Sequence, residues 1–335
     1  MALNQSYNRH AYKGTQAAQS MSFSKMSKLG SYFIEFISPT SWHVRGVNKI
    51  YYSGESKYQR IDVVEFEDLG RGLVLDGKVQ STLYDEFIYH ESLVHPALIA
   101  HGNPRRVLII GGGEGATARE ALRHRTVEEV VMVDLDEEVV NASRKYLPEM
   151  GEEAFRDPRF KLIIGDGRKY IEGTTSGFDA IIIDATDPME GGPASLLYTV
   201  EFYRAVKNAL RSGGVMVTQA ANTSDALDVM ASIYKTISAV FKVVRPYSAY
   251  VTSYDAPWGF IFASDEADPK QLESSEVDAR VSKAITGSLR HYDGETHMHM
   301  FSLPKNVRTA FAAANRIATD REPPSVRLPS EHPLR

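Results

Sequence analysis

From Arg106 onward the chain alternates apolar strands with helices, and that alternation constrains the fold more than any other feature. "RVLIIGG" reads as a strand and "GATAREALRHR" as a helix. "EEVVMVDLD" and "EEVVNASRKYL" repeat the pair. "FKLIIGDG" and "FDAIIIDATD" are two more strands, "VEFYRAVKNAL" a helix and "GGVMVTQA" a further strand. Such spacing predicts a Rossmann-like, doubly wound α/β domain with a mostly parallel sheet, in which ligands bind outside the carboxyl ends of the strands. Glu114, Asp134, Asp166 and Asp184 all fall at such ends.

Ahead of that domain, "YFIEFIS", "HVRGVNKIYYSG", "RIDVVEFE" and "RGLVLDGKVQS" are short, β-branched and aromatic. Asp76-Gly77 between "LVL" and "KVQ" is a two-residue hairpin signal. A small antiparallel β domain is expected over 31–82, then a helix in "TLYDEFIYHESLVHPALIAH", within a catalytic domain over 83–318. Residues 1–30 are Ser-, Gln-, Asn- and Lys-rich and predict a disordered tail; the Pro-rich 319–335 predicts a flexible one.

Composition narrows the function classes. A net charge of −5 without a basic block points away from nucleic acid and anionic membranes. Zero cysteines exclude disulfides, thiolate zinc sites and a cysteine nucleophile, and fit a cytoplasmic protein. No apolar run approaches the ~20 residues of a membrane span, and the first residues lack the apolar core of a secretory signal.

Gly113, Gly115 and Ala118 give a G-x-G-x-x-A spacing between strand and helix. Asp134, 19 residues past Gly115, ends the next strand, where an acid accepts hydrogen bonds from ribose hydroxyls. A dinucleotide would set its pyrophosphate on the helix N-terminus, and Glu114 opposes that charge. A sulfonium nucleoside has no phosphate and is cationic, so Glu114 attracts it. The "GDG" at 165–167 adds an acid suited to an adenine amino group. "DATDP" closes an all-apolar strand with Asp184 and Asp187, and a buried charge there calls for a cationic partner.

These residues converge on a known family. "YQRIDVVEF", "GRGLVLDGKVQST", "YDEFIYHESLVHPAL", "VLIIGGGEGATAREALRH", "VMVDLDEEVV", "GDGRKYI" and "DATDPMEGGPASLLYTVEFY" resemble the polyamine aminopropyltransferases over roughly residues 31–315. The resemblance implies an N-terminal β domain joined to a Rossmann-like domain, and a homodimer or homotetramer. It implies transfer of an aminopropyl group from decarboxylated S-adenosylmethionine to an amine, releasing methylthioadenosine. That donor is a co-substrate, so no cofactor is implied.

Motif by motif, the resemblance implies donor contacts at Gln59, Gln80, Gly113, Asp134, Asp166, Gly167 and Pro193. It implies acceptor contacts at Tyr89, His90, Glu114, Asp184, Asp187 and Tyr254, with Asp184 as the proton acceptor. Glu114 stands where many spermidine synthases have Asp, and "DPMEGGP" is two residues longer than their D-P-x-G-P. Both departures resemble the thermospermine and agmatine branches and imply an acceptor other than putrescine.

The residue types suit the chemistry. An alkylamine with a pKa near ~10 must lose a proton before it attacks the carbon beside the sulfonium. Asp184 can take that proton as a general base, and the thioether leaving group needs no acid. No metal is required, and His90, His95 and His101 do not share one helical face. Two other readings stay open. A small-molecule methyltransferase would bring the carboxylate of intact S-adenosylmethionine against Glu114. A non-catalytic polyamine-binding protein would have no use for Asp184 as a base.

Overall fold

The computed structural model describes residues 31–38, 41–189, 192 and 194–326. The tail expected over 1–30 therefore lies outside the described residues.

Asp76 and Gly77 take φ of 48° and 74°, the paired left-handed conformation of a two-residue hairpin turn. They join β4 (Gly70–Leu75) to β5 (Lys78–Thr82). With β1 (Ser31–Ser38), β2 (Ser41–Glu55) and β3 (Arg60–Phe66) these form a five-stranded antiparallel sheet in sequence order. Ile61, Val63, Leu73 and Leu75 alternate onto one face and pack with Leu147 and Met150, which fastens this sheet to the rest of the chain.

The helix expected from Thr82 begins at Glu86, as α1 (Glu86–His101). Thr82 first donates its hydroxyl to Asp85 (2.7 Å), which holds a turn ahead of the helix. Twelve of its residues are buried, because α1 runs between the sheet and the C-terminal helices. Its Glu91 carboxylate accepts backbone N–H groups of Arg290, His291 and Tyr292 at 2.8–2.9 Å, so a buried charge is matched by three donors.

The alternating segments form β6 (Arg106–Gly111), α2 (Ala116–Leu122), β7 (Glu129–Asp134), α3 (Glu137–Tyr146), α4 (Pro148–Arg156), β8 (Phe160–Ile164) and α5 (Gly167–Glu172). Next come β9 (Phe178–Asp184), α6 (Val200–Ala209), β10 (Leu210–Asn222) and α7 (Leu227–Ser238). The seven-stranded sheet has the order β11-β12-β10-β9-β6-β7-β8. Strands β8, β7, β6, β9 and β10 are parallel, and the apolar runs of β6, β7 and β9 are buried, as in a sheet covered on both faces. An antiparallel hairpin, β11 (Val243–Val251) and β12 (Ala256–Ser264), completes it beside β10. Helices α8 (Ser274–Ala284), α9 (Gly294–Met300) and α10 (Lys305–Ala313) follow.

Residues 319–326, the first part of the segment expected to be flexible, make contacts with the catalytic domain. Asp320 pairs with Arg168 (2.6 Å) and accepts the Thr199 hydroxyl (2.7 Å), while Val326 N–H donates to Pro188 O (2.8 Å). Proline content signalled a lack of helix; ion pairing and one backbone hydrogen bond dock the segment regardless. Residues 327–335 lie outside the described residues.

Candidate active site

Strand order reverses between the parallel β6 and β9, which are flanked on opposite sides by β7 and β10. At that crevice Gly111 stands opposite Asp184. Gly111 has φ of 84°, and a Cβ there would lie 2.2 Å from the Asp184 carbonyl oxygen. The glycine loop thus permits close approach of the two strand ends, as topological switch points require. Outside them opens a cavity of about 1800 Å³. Gln59, Gln80, Tyr89, Gly113, Glu114, Asp134, Asp166, Gly167, Asp184, Asp187 and Tyr254 all line it. Pro193 lies outside the described residues.

At the β9 end, Asp184 accepts hydrogen bonds from Tyr89 Oη (2.7 Å) and Thr117 Oγ1 (2.5 Å). Burial raises its pKa above the usual aspartate value; Glu114 adds to the rise, while His90 and the two hydroxyls oppose it. The carboxylate is therefore oriented through both oxygens, and among the described residues no Lys or Arg is bonded to it. Among the described residues the Asp187 carboxylate accepts one hydrogen bond, from Gln219 Nε2 (3.2 Å), and burial pushes its pKa up to about 6. Tyr254 sits between β11 and β12, edge-on to Tyr89 (centroids 6.0 Å) and against Trp258 (4.6 Å). Its hydroxyl donates to Gln80 O, so the hairpin and the N-terminal sheet meet over the cavity.

His90, expected among the acceptor ligands, does not line the cavity. Neighbouring residues on a helix point about 100° apart, so α1 turns Tyr89 toward the cavity and His90 behind it. His90 is fully buried. Its Nδ1 lies 2.9 Å from Glu86 Oε2 and 2.7 Å from Glu86 O, and its Nε2 faces Glu114 Oε1 at 3.1 Å. Burial alone would lower its pKa; the flanking Glu114 and Glu86 outweigh that and hold it up to about 10.

At the β7–β8 end the carboxylates are held by their own neighbours. Asp134 accepts the backbone N–H of Asp136 (2.8 Å), and burial, reinforced by the charges of Asp136, Asp184 and Glu114, pushes its pKa up to about 6. Gly113 is required beside it, since a Cβ would fall 2.8 Å from Asp134 Oδ2. Asp136 caps α3 and accepts from Ser56 Oγ (2.6 Å) and Gln59 Nε2 (3.0 Å), so the Gln59 amide reaches the cavity already bonded. Asp166 caps α5 through the N–H groups of Arg168 and Lys169, with Gly167 opening the helix. Gln80 turns its own amide back to Lys78 O (3.1 Å).

Sequence reasoning missed Thr117, Asp136, Gln219 and Tyr198. Gln219 Nε2 donates to Ala185 O (2.8 Å) and Tyr198 Oη (2.7 Å), and Tyr198 donates to Thr186 O (3.0 Å), which braces the loop between the two aspartates. The polar Gln219 at the end of the apolar "VMVT" run was a readable signal; Tyr198, within an apolar stretch, gave none. Among the described residues no group of three His, Cys, Asp or Glu side chains is arranged to hold a metal ion.

Comparison with known proteins supplies the family. Residues 86–274 match the spermine/spermidine synthase domain, and residues 31–82 match the spermidine synthase tetramerisation domain. The chain is 52% identical over 289 residues to polyamine aminopropyltransferase 2 of Hyperthermus butylicus, covering 86% of this chain and 95% of the relative. It is 46% identical over 293 residues to the polyamine aminopropyltransferase of Sulfurisphaera tokodaii, covering 88% and 97%. Its structure superposes on a crystal structure of spermidine synthase in complex with the transition-state analogue AdoDATO. That match has a TM-score of 0.80 and 36% identity, and covers 85% of this chain and 96% of the other. Spermidine synthase from Thermotoga maritima gives a TM-score of 0.78 at 35% identity, covering 85% and 95%. The chain belongs to the spermine/spermidine synthase family, the polyamine aminopropyltransferases.

Proposed function

We propose that this enzyme transfers an aminopropyl group from decarboxylated S-adenosylmethionine to an amine in polyamine biosynthesis, with Asp184 as the proton acceptor. The observation that carries the reading is that Asp184 and Glu114 line the same cavity, with Asp184 held by Tyr89 and Thr117 and bonded to no Lys or Arg among the described residues. Such a site suits cationic amines and disfavours a donor that still bears a carboxylate.

In this reading the nucleoside lies toward Asp134, Asp166 and Gly167. The adenine side takes contacts from Asp166 and Gly167, and the ribose hydroxyls donate to Asp134. Gln59, Gln80, Gly113 and Pro193 complete the donor side. The sulfonium and the attacking amine meet near Asp184. Tyr89, Glu114, Asp187 and Tyr254 hold the acceptor's cationic and methylene groups, which supplies the orientation that makes the displacement effectively unimolecular. Asp184 removes the proton that the amine must lose; the new C–N bond forms as the C–S bond breaks, and methylthioadenosine leaves neutral.

The acceptor is agmatine or a triamine rather than putrescine, a reading that rests on Glu114 and the longer "DPMEGGP" segment. The functional units are 31–82, through which copies assemble as a dimer or tetramer, and the catalytic domain from 83; the setting is cytoplasmic. Turnover with decarboxylated against intact donor, across agmatine, putrescine, cadaverine and spermidine with product mass, tests all of this. Product only from the decarboxylated donor is expected. Methyl transfer from intact donor would replace the reading. A kcat/KM for putrescine above those of agmatine and spermidine would remove the acceptor assignment alone.

A further inference from the structure

Asp136 is 3% exposed, and both oxygens of its carboxylate are in use. Oδ1 accepts the Glu138 N–H (3.1 Å) and so caps α3. Oδ2 accepts from Ser56 Oγ (2.6 Å) and Gln59 Nε2 (3.0 Å). Ser56 and Gln59 belong to the turn between β2 and β3, where Ser56 Oγ also accepts the N–H groups of Tyr58 (3.0 Å) and Gln59 (3.2 Å). The N–H of Asp136 in turn donates to Asp134 Oδ1 (2.8 Å). A carboxylate only accepts, so Gln59 must give it the amide nitrogen. The amide oxygen is then left over. It takes no hydrogen bond from the described residues, and Gln59 lines the cavity.

We propose that Asp136 is a positioning residue of the nucleoside site, acting through Gln59: it pins the amide nitrogen, so that Gln59 Oε1 faces the cavity and accepts a ribose hydroxyl of the aminopropyl donor. The two ends of a glutamine amide are nearly the same size, so shape alone does not choose which end meets a ligand. The carboxylate of Asp136 makes that choice, and Ser56 holds the turn in place while it does. The placement suits a ribose, since Asp136 also bonds Asp134, the residue assigned to the ribose hydroxyls. This rests on the proposed donor-side role of Gln59, and it adds the group that decides which end of the amide the nucleoside meets.

Asp136→Asn tests this directly, because Asn caps a helix as well as Asp does and Oδ1 can stay on the Glu138 N–H. An NH2 then stands where Oδ2 stood, and it faces the NH2 of Gln59. The Gln59 amide turns over to accept from it and shows the cavity its nitrogen. Donor KM, acceptor KM and the Kd of methylthioadenosine, which keeps the ribose and lacks the aminopropyl group, are measured for Asp136→Asn, Ser56→Ala, Gln59→Ala and the Asp136→Asn/Gln59→Ala double variant. Expected for Asp136→Asn is a donor KM and a methylthioadenosine Kd higher by about 5- to 50-fold, the size of one polar group left wrongly paired, with acceptor KM within about twofold. Gln59→Ala should raise both by less, about 3- to 10-fold, since water can take the vacated place. On the Gln59→Ala background Asp136→Asn should add less than about twofold, because Asp136 acts through Gln59. Ser56→Ala should raise donor KM by about 2- to 5-fold, as loss of one ordinary hydrogen bond does.

An equal loss from Asp136→Asn with and without Gln59 overturns the proposal, since Asp136 would then act by capping α3 or by a contact of its own. So does an acceptor KM that rises in step with donor KM. A donor KM that rises while the methylthioadenosine Kd holds overturns it as well, because the contact would then be to the aminopropyl group. If Asp136→Asn does not fold, by near-ultraviolet circular dichroism, Ser56→Ala decides: an unchanged donor KM overturns it. If Gln59→Ala itself leaves donor KM unchanged, the donor-side assignment of Gln59 fails, and the positioning role goes with it. A Gln59 effect without an Asp136 effect removes the positioning role alone.

Discussion

The two ends of the cavity hold their carboxylates in different ways. At the β7–β8 end the partners are neighbours in sequence: Asp134 bonds the N–H of Asp136, and Asp166 bonds those of Arg168 and Lys169. At the β9 end they are far away: Tyr89 is 95 residues and Thr117 67 residues from Asp184, and Gln219 is 32 from Asp187. The first end is built by local backbone geometry, the second by the packing of α1, α2 and β10 around β9. Local geometry tolerates substitution elsewhere in the protein. A site assembled from several elements depends on each of them, and its chemistry is correspondingly more exposed to single changes.

The largest expected effect is at the assembled end. Asp184→Asn keeps the shape and removes the proton acceptor, so kcat should fall by ~10²–10⁴-fold. Donor KM should hold, because Asp134 and Asp166 are unaffected. Burial raises the Asp184 pKa, so wild-type kcat should decline on the acid side with an apparent pKa above that of free aspartate. Higher pH should partly rescue Asp184→Asn by supplying neutral amine. A near-normal kcat at pH 7 would place the base elsewhere and erase the contrast between the two ends.

Asp187→Asn should act next most strongly, raising acceptor KM by roughly 10-fold with little change in kcat, as loss of uniform binding does. With its pKa pushed up to about 6, Asp187 is protonated below that pH and loses its hold on a cation. Acceptor KM of the wild type should therefore climb as pH falls through about 6, and the variant should lack that inflection. If donor KM carries the inflection instead, Asp187 belongs functionally with the other end.

What was legible in the sequence follows the same division. The glycine loop, the acids at strand ends and the Asp76-Gly77 turn are short-range patterns, and each appears where its spacing predicts. The hairpin of β11 and β12 was not read, because its strands pair antiparallel at the edge of a parallel pattern and carry Pro246 and Pro257. His90 was read as an acceptor ligand from the family motif it shares with Tyr89; α1 turns the two side chains in different directions. Thr117, on α2, was hidden because its partner, Asp184, ends the distant strand β9. Docking of 319–326 likewise depends on Arg168, far along the chain.

A stability measurement sharpens the comparison further. Burial holds the Asp134 pKa at about 6, above the ordinary 3.8. The folded state then binds this proton more tightly than the unfolded state does. Its contribution to stability is complete below about 3.8 and is lost as pH rises through about 6. At pH 7.5 the ligand-free Asp134→Asn protein should be more stable than wild type by about 1–3 kcal/mol, and the gap should close on acidification to pH 4. Donor KM should rise in the same variant. Urea titrations at both pH values give the answer; a gap independent of pH would mean that Asp134 is not strained by its burial.

The smallest effect is expected at Asp166, and it isolates the local end most cleanly. Its side chain is 43% exposed and spends one oxygen on the first N–H groups of α5. Lys169 stands 3.9 Å from the other oxygen, a surface pair that contributes little. Asp166→Ala removes the helix cap and should cost about 1 kcal/mol of stability. Asp166→Asn keeps a capping oxygen and should restore most of that loss. If Asp166 also meets the adenine amino group, both variants should raise donor KM a few-fold, because an amide in place of the carboxylate weakens that bond. Stability and donor binding would then separate: Asn recovers the first and not the second. Acceptor KM and kcat should stay at wild-type values in both, since no contact of Asp166 reaches β9. A shift in acceptor KM in either variant would show that the two ends are coupled through α5, and the division between a locally built end and an assembled one would not survive it.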